Sequence, residues 1–470
     1  MYAYSFQGGG WNQNVQLDLV RALVEQQRFE ISSYASNTGD VSRFEGRVYS
    51  NKPPGLPLLV SPVYALLYWG ERWLDLVPGS PSMVSANAYV LSVFASAMPG
   101  VGTVLWLVVW FRREGASERE ALLAAAGFGA GTLVWPYSGL LMSHNLVAFL
   151  LFGGFMLITA PQPGLRRLAL GGGLLGWAVA TDGLALPAAL VCAIVAARLP
   201  ATAGARAGFF GAAGAVGLIL AAHNTVLFGE PFAGNRTQLD ERFVDPELLL
   251  GTLGWPDPAR LYWLTLHPFR GLLYCCPVFL VPVLGRIGGR TRNTPPPEAR
   301  HRWARVAIPS LYLLFNLSFN GWAGGWSVGP RYLIPALPFV FSFALAGYRR
   351  FPRLSSALTG LSVVIMLSVS LVQLQIPSPN HGRPTDLDPV RETFTRLSRG
   401  EVSVTRQHVL EYAPGPIEWN PSDRWDAWNW GERVGLQGAA SALPVAALSG
   451  LLFLLAASGG RSRSGAGAAG

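Results

Sequence analysis

Eleven apolar segments punctuate this chain, at 83–111, 120–138, 140–160, 168–181, 184–198, 206–228, 264–285, 303–319, 332–348, 354–376 and 438–457. Several reach or approach the roughly 20 residues that a helix needs to cross the hydrocarbon of a bilayer. Inside lipid every backbone N–H and C=O must find its partner within the protein, so helices and closed barrels are the structures that span it. Runs of this length select the helix. Composition agrees: half of the residues are hydrophobic and 13% are charged, against about 25% in a soluble domain. The expected fold is an all-α polytopic membrane protein with about eleven transmembrane helices. Segments 168–181 and 184–198 are short and meet at "TDG", as two short helices would at one membrane face.

The formal charge of +9 raises the possibility of nucleic acid as a partner. The arginines exclude it by sorting along the chain. Residues 55–74 begin apolar and end in "GERWLD", which suits either a twelfth span or a helix lying in the membrane interface. If they do not cross, one face receives 112–120, 161–167, 198–206, 286–305, 349–353 and the tail from 458. Those stretches hold 18 arginines and four acids, Glu114, Glu118, Glu120 and Glu298. The rest of the chain holds 18 basic and 23 acidic residues. The positive-inside rule therefore places that face in the cytoplasm and leaves 55–74 in the interface. Residues 1–54, 229–262, 320–331 and 377–437 then face outward. "MYAYSFQGGGWNQN" has no basic n-region and no apolar h-region, and the expectation is that a first helix is encoded upstream of Met1, giving twelve. The three cysteines, Cys192, Cys275 and Cys276, lie in apolar runs and argue against a disulfide framework.

One basic residue stands out. Lys52, in "RVYSNKPPGLP", is the single lysine among 36 basic residues. With its outward position and the order of the other motifs, the chain resembles the membrane-embedded GT-C glycosyltransferases. These include protein O-mannosyltransferases, the lipid A aminoarabinose transferase and a bacterial branch labelled dolichyl-phosphate-mannose-protein mannosyltransferase-like. "QLDLVRALVEQQRFEI" looks like the juxtamembrane helix of their first outer loop, and "TGDVSRFEGRVYSNKPPG" like the stretch that closes it. "PYSGLLMSHNLVAFLLF", "GWAVATDGLALPAAL", "HPFRGLLYCCPVFL" and "GWAGGWSVGPRYLIPALPF" match the style of the bacterial branch. The resemblance implies four regions: an outer loop 1–54, a transmembrane core 55–376, a Trp-rich outer loop 377–437, and a last helix with a cytoplasmic tail 438–470. It implies transfer of a sugar from a polyprenyl-phosphate donor to an envelope glycan, lipid or protein, at the outer face of a bacterial cytoplasmic membrane. No cofactor is implied, although a divalent cation is compatible.

That chemistry needs a cation for the lipid phosphate and a base for the acceptor hydroxyl. Lys52 suits the phosphate, because a compact ammonium reaches a single oxygen from a backbone stiffened by prolines. The base expected just after the first helix is replaced here by Asn12 and Asn14. Asp40 and Asp18 are the nearest acids. Asp40 alternatively serves the turn "NTGD", and Asp18 alternatively pairs with Arg21 at the surface. His144 and Asn145 form a polar pair inside an apolar run, where members of the family carry an acid. In a membrane such a pair marks a site, unless the histidine is bonded to a carbonyl between helices. Asp182 sits at an outer turn, either solvated or aimed at the site.

His267, Arg270 and Arg331 also lie at outer ends of spans. Positive-inside sorting does not explain the two arginines, which read as phosphate clamps or as lipid-headgroup anchors. "GWAGGWSVG" lacks the flanking strand and Lys-Ser/Thr of a nucleotide loop, and its glycines suit close backbone approach. Trp419, Trp425, Trp428 and Trp430 read as an interfacial belt or as a stacking platform for a sugar. The segment 377–437 shows no structural-metal spacing. Two competing readings are a lipid or saccharide transporter and an inactive GT-C relative. The ionisable groups gather at outer span ends rather than at a midplane between repeats, which favours the enzyme.

Overall fold

A computed structural model describes residues 1–233, 243–287, 301–376, 387–405 and 426–458. It is mostly helical, and helices occupy each of the eleven apolar segments. By length and composition, three helices are able to cross a membrane: Pro81–Arg113, Ala203–Phe228 and Pro352–Val372. A fourth candidate joins Arg331–Phe341 to Ala344–Arg350 across a 60° bend. Among the described residues these are the helices that meet the length and composition of a span. The other segments form shorter or broken helices, and in two of them proline coincides with the break, since it removes an N–H and clashes with the preceding turn. The expected span 264–285 contains Pro268, Pro277 and Pro282. It divides into Ala259–Thr265, Leu272–Cys275, a 3₁₀ turn Pro277–Phe279 and Leu280–Leu284. The expected span 332–348 starts as the 3₁₀ helix Arg331–Ala336, with Pro335 inside it.

Small residues set the closest approaches. Gly154 and Gly171 meet where helix His144–Ile158 crosses helix Leu165–Thr181, and Gly172 lies against the carbonyl of Phe209 on Ala203–Phe228. In lipid such contacts replace the hydrophobic drive that water supplies. Outward-facing positions remain apolar. Leu66 and Trp73 on Gly55–Trp73, and Leu218 and Val226 on Ala203–Phe228, are more than 70% exposed. Helix Gly55–Trp73 buries Leu56, Val60 and Tyr64 along one stripe.

Among the described residues four short strands accompany the helices. Strand β1 (Ser5–Gln7) is followed by a hairpin, β2 (Val41–Phe44) and β3 (Arg47–Ser50), and β4 (Ala427–Asn429) pairs antiparallel with β1. Residues 1–10 run inside the helices rather than outside them. Tyr2 donates to the carbonyl of Gly129 at 2.8 Å and Tyr4 to that of Ser441 at 2.6 Å. Gln7 Oε1 accepts the backbone N–H groups of Leu374 (2.7 Å) and Gln375 (3.0 Å). Extended backbone at this depth is tolerated because protein partners satisfy it.

Three of the arginine-rich stretches meet, through Glu114, Gly115 and Glu120 on one side and Arg305 and Arg349 on the other. Arg305 pairs with Glu114 at 3.3 Å, and Arg349 bridges Glu120 at 2.8 Å while donating to the carbonyl of Gly115. Arg113 reaches the carbonyl of Met156, near the end of helix His144–Ile158. His144, at the start of that helix, lies about 18 Å from Met156 along its axis at 1.5 Å per residue. Cys192, Cys275 and Cys276 are buried free thiols.

Candidate active site

The hairpin is the device that builds the site. Its tip, Glu45-Gly46, has φ of 48° and 74°. Two positive values give the type I′ turn whose twist matches that of the strands. The register pairs Val41 with Ser50, so the residues just outside it, Asp40 and Asn51, face each other. The N–H of Asn51 donates to the carbonyl of Asp40 at 3.1 Å. One residue further on, Lys52 Nζ lies 3.0 Å from Asp40 Oδ2. Asp40 is fixed from its other side too. Thr38 donates to the carbonyl of Trp11 at 2.8 Å and accepts the N–H of Asp40 at 3.1 Å. Past Lys52 the chain turns through Pro53 and Pro54 into helix Gly55–Trp73. At Gly55 it lies so close to the backbone of Ala180 and Thr181 that a Cβ would sit 2.6 Å from them. That contact brings the start of helix Gly55–Trp73 beside the turn holding Asp182, whose Oδ1 accepts the N–H of Leu184 at 3.0 Å and caps the next helical turn.

Two further sequence-predicted residues converge here. His144 feels the charges of both Arg331 and Lys52, and Arg331 feels that of Asp40. His144 is 4% exposed, and neither ring nitrogen has a hydrogen-bond partner among the described residues. Its ring sits between Tyr137 (5.8 Å) and Tyr332 (6.0 Å). Arg331 passes over Gly324, whose φ is +75° and where a Cβ would meet the arginine stem at 3.1 Å. It donates to Tyr332 Oη at 3.2 Å, while its Nε is buried without a partner. Asp40 and Lys52 are thus paired, and His144 and Arg331 lie within electrostatic reach of them. Tyr332 is the residue that sequence reasoning missed. Its signal was its place beside Arg331 in "GPRYL".

A break in the helices positions His144. Between Val134–Tyr137 and His144–Ile158 the chain is irregular yet wholly buried. Ser96, in a π-helical turn Val93–Ala97, donates to the carbonyls of Leu140 (2.7 Å) and Met142 (2.8 Å). Gln13 accepts the N–H of Leu141 at 2.8 Å. Asn145 serves the same break, donating to the carbonyl of Val134 at 2.9 Å. The polar pair therefore divides: Asn145 holds the backbone and His144 faces the charges.

The remaining candidates lie elsewhere. Asp18, on helix Trp11–Arg21, is fully buried and accepts from Asn37 at 3.3 Å. Burial pushes its carboxyl well above the ordinary carboxylate range, against the opposing effects of Asn37 and Arg21. The surface ion pair with Arg21 is corrected, because Arg21 pairs with Glu25 at 2.9 Å. Arg270 is fully buried, and it donates to the carbonyls of Ala323, Phe269 and Gly325 at 2.7–3.0 Å. It fastens the glycine-rich loop before Arg331 and lies within electrostatic reach of that arginine. His267 accepts the N–H of Phe269 at 3.1 Å and stacks near Trp263 at 3.9 Å, so it organises a turn. Asn14 donates to the carbonyl of Asn37 at 2.8 Å. Trp428 packs on Phe6 and Tyr89, and Trp430 donates to the carbonyl of Ala3. Both fasten the N-terminal strand, while Trp419 and Trp425 lie outside the described residues. Among the described residues no three His, Cys, Asp or Glu side chains gather as a metal site.

No family model, curated protein or solved structure matches the chain.

Proposed function

We propose that this chain is a membrane glycosyltransferase that moves a sugar from a polyprenyl-phosphate donor to an envelope acceptor on the side opposite its arginine-rich loops. The observation that carries the reading is the 3.0 Å pairing of Lys52 with Asp40, within reach of the fields of Arg331 and His144. Transfer of this kind needs a carboxylate and cations in one place. Asp40 accepts the proton of the acceptor hydroxyl as its oxygen bonds to the anomeric carbon. The bond from that carbon to the phosphate oxygen breaks, and Lys52 and Arg331 receive the charge left on the lipid phosphate. His144 supplies a hydrogen bond from ring nitrogens that have no hydrogen-bond partner among the described residues. Arrival of the phosphate competes with Asp40 for Lys52 and frees the carboxylate to act. The proposed setting is a bacterial cytoplasmic membrane, with the C-terminus cytoplasmic.

The test is turnover. Full-length protein in liposomes is given a panel of polyprenyl-phosphate sugars with envelope extract as acceptor, and released polyprenyl phosphate is measured. Wild type is expected to release it. Asp40→Asn is expected to lose about 10²–10⁴-fold, the usual contribution of a general base, and Lys52→Ala to lose comparably. Release unchanged in both variants sinks the assignment. A transporter is the second reading, favoured by the 60° bend between Arg331–Phe341 and Ala344–Arg350, since broken helices mark transporter sites. It predicts protein-dependent movement of the lipid-linked sugar with no polyprenyl phosphate released.

A further inference from the structure

We propose that a groove at the arginine-rich end of the bundle binds one anionic phospholipid. This inference rests on the membrane reading and is independent of glycosyl transfer. A cavity of about 500 Å³ opens between helices Glu118–Gly131, Ala344–Arg350, Pro352–Val372 and Leu443–Ser458. That size falls within the roughly 300–1,000 Å³ of small-ligand sites. It lies at the opposite end of the bundle from Lys52 and Asp40.

The walls suit an acyl chain. Leu123, Leu345, Val363 and Phe453 line them. Two polar groups of the wall engage each other: Tyr348 Oη lies 2.8 Å from Thr359 Oγ1, which donates to the carbonyl of Ser355 at 2.7 Å. At Gly360 a Cβ would meet no atom within 4 Å, so the floor is open where the missing side chain would stand. Leu361, Val364 and Leu454, on the two helices that border the groove, are each at least half exposed. The groove is therefore continuous with an apolar surface that faces lipid.

The rim selects the headgroup. Arg349 and Glu120 line the opening, and their neighbours along the chain are Arg350 and Arg353 on one side and Glu118 and Arg119 on the other. Glu120 engages Arg349, by contacts of 2.8 and 3.0 Å, which fixes that guanidinium at the mouth. The surplus positive charge of this stretch lies beside a largely apolar slot. An anionic diacyl lipid carries the complementary pair of features, and near the surface each such arginine contributes about 1 kcal/mol of attraction to anionic lipid.

The experiment uses full-length protein, delipidated in neutral detergent. Its thermal unfolding is followed against phosphatidylglycerol or phosphatidylcholine of the same chains, and native mass spectrometry counts retained lipids. A ligand that binds only the folded state raises the melting temperature. Wild type is expected to show a saturable upward shift with phosphatidylglycerol, at least twice that with phosphatidylcholine, and one retained phosphatidylglycerol per chain. Gly360→Leu, which fills the floor, is expected to melt normally without lipid and to lose the shift and the retained lipid. Val363→Phe narrows the groove from the same helix and serves if Gly360→Leu does not fold. Arg353→Gln is expected to weaken the shift while leaving the lipid-free melt unchanged. Equal shifts with both lipids overturn the proposal, as does a phosphatidylglycerol shift that survives filling of the groove. A lipid-free dimer that Gly360→Leu dissociates would make the occupant a second copy and would overturn it as well. Loss of turnover at Asp40 or Lys52 bears on none of these outcomes.

Discussion

At the scale of the residue, His144 and Asp18 are both buried and polar but differ in kind. His144 has two ring nitrogens without partners and two cations acting on it, so the fold gains no hydrogen bond from its polarity. His144→Phe keeps the ring and removes the nitrogens. Thermal unfolding is expected to change by a few degrees at most, while donor-dependent turnover falls at least tenfold, or about 1.4 kcal/mol of transition-state stabilisation. Full turnover in His144→Phe would make it a packing residue. Asp18 is held as an acid by burial. Its folded pKa lies above its unfolded value, so its contribution to stability is complete below the unfolded pKa, near 3.9, and is lost as pH rises through the folded pKa. Asp18→Asn is neutral at every pH and keeps an oxygen for Asn37. Melting curves from pH 5 to pH 8 are expected to fall less steeply with pH in Asp18→Asn than in wild type. Parallel curves would remove Asp18 from the account.

At the scale of the element, the site depends on how the hairpin and helix Gly55–Trp73 set Lys52. Gly55→Ala would drive a methyl group into the backbone of Ala180 and Thr181, 2.6 Å away. Overpacking of this kind costs about 1–3 kcal/mol, and the displaced helix carries Lys52 with it. Turnover is expected to fall well beyond what the loss of folded protein explains. Gly173→Ala is the control, since its Cβ meets nothing within 4 Å and alanine favours a helix. Equal behaviour of the two variants would show that the Gly55 contact does not position Lys52. Much of this geometry was legible and part of it was overlooked. "VSRFEGRVYS" alternates around a two-residue turn with glycine, which is a hairpin signal, and that hairpin is why Asp40 and Lys52 meet. The pairing of β1 with β4 was not legible. It joins residues 5–7 to 427–429, and no local pattern announces a contact at that separation. The roles of Arg270 and Asn145 were hidden for a related reason. Polar side chains at the ends of apolar runs read as ligand groups, whereas here they satisfy the carbonyls of broken backbone.

At the scale of the whole molecule, charge sorting and three-dimensional contact agree without sharing an assumption. The positive-inside rule counts arginines along the chain and knows nothing of packing. The ion pairs Arg305–Glu114 and Arg349–Glu120 bring together loops that the count had assigned to one face. Asp40, Lys52 and His144 lie at the other. Continuous spans were harder to foresee than this polarity, because apolar composition does not show where Pro268, Pro277 or Pro335 will break a helix that neighbouring side chains then repair. The two-sided arrangement makes a prediction that does not depend on catalysis. The native cysteines are buried, so single cysteines added at exposed positions report sidedness against a low background. Arg47→Cys lies on the hairpin, and Arg167→Cys lies in the arginine-rich loop between helices His144–Ile158 and Leu165–Thr181. In intact cells a membrane-impermeant maleimide is expected to label Arg47→Cys and spare Arg167→Cys, with both labelled after permeabilisation. The reverse pattern would invert the protein and place Lys52 in the cytoplasm, where soluble nucleotide sugars would replace the lipid-linked donor. Labelling of both in intact cells would mean that the two ends share one side, and the helices between them would then have to be read as a bundle that does not cross.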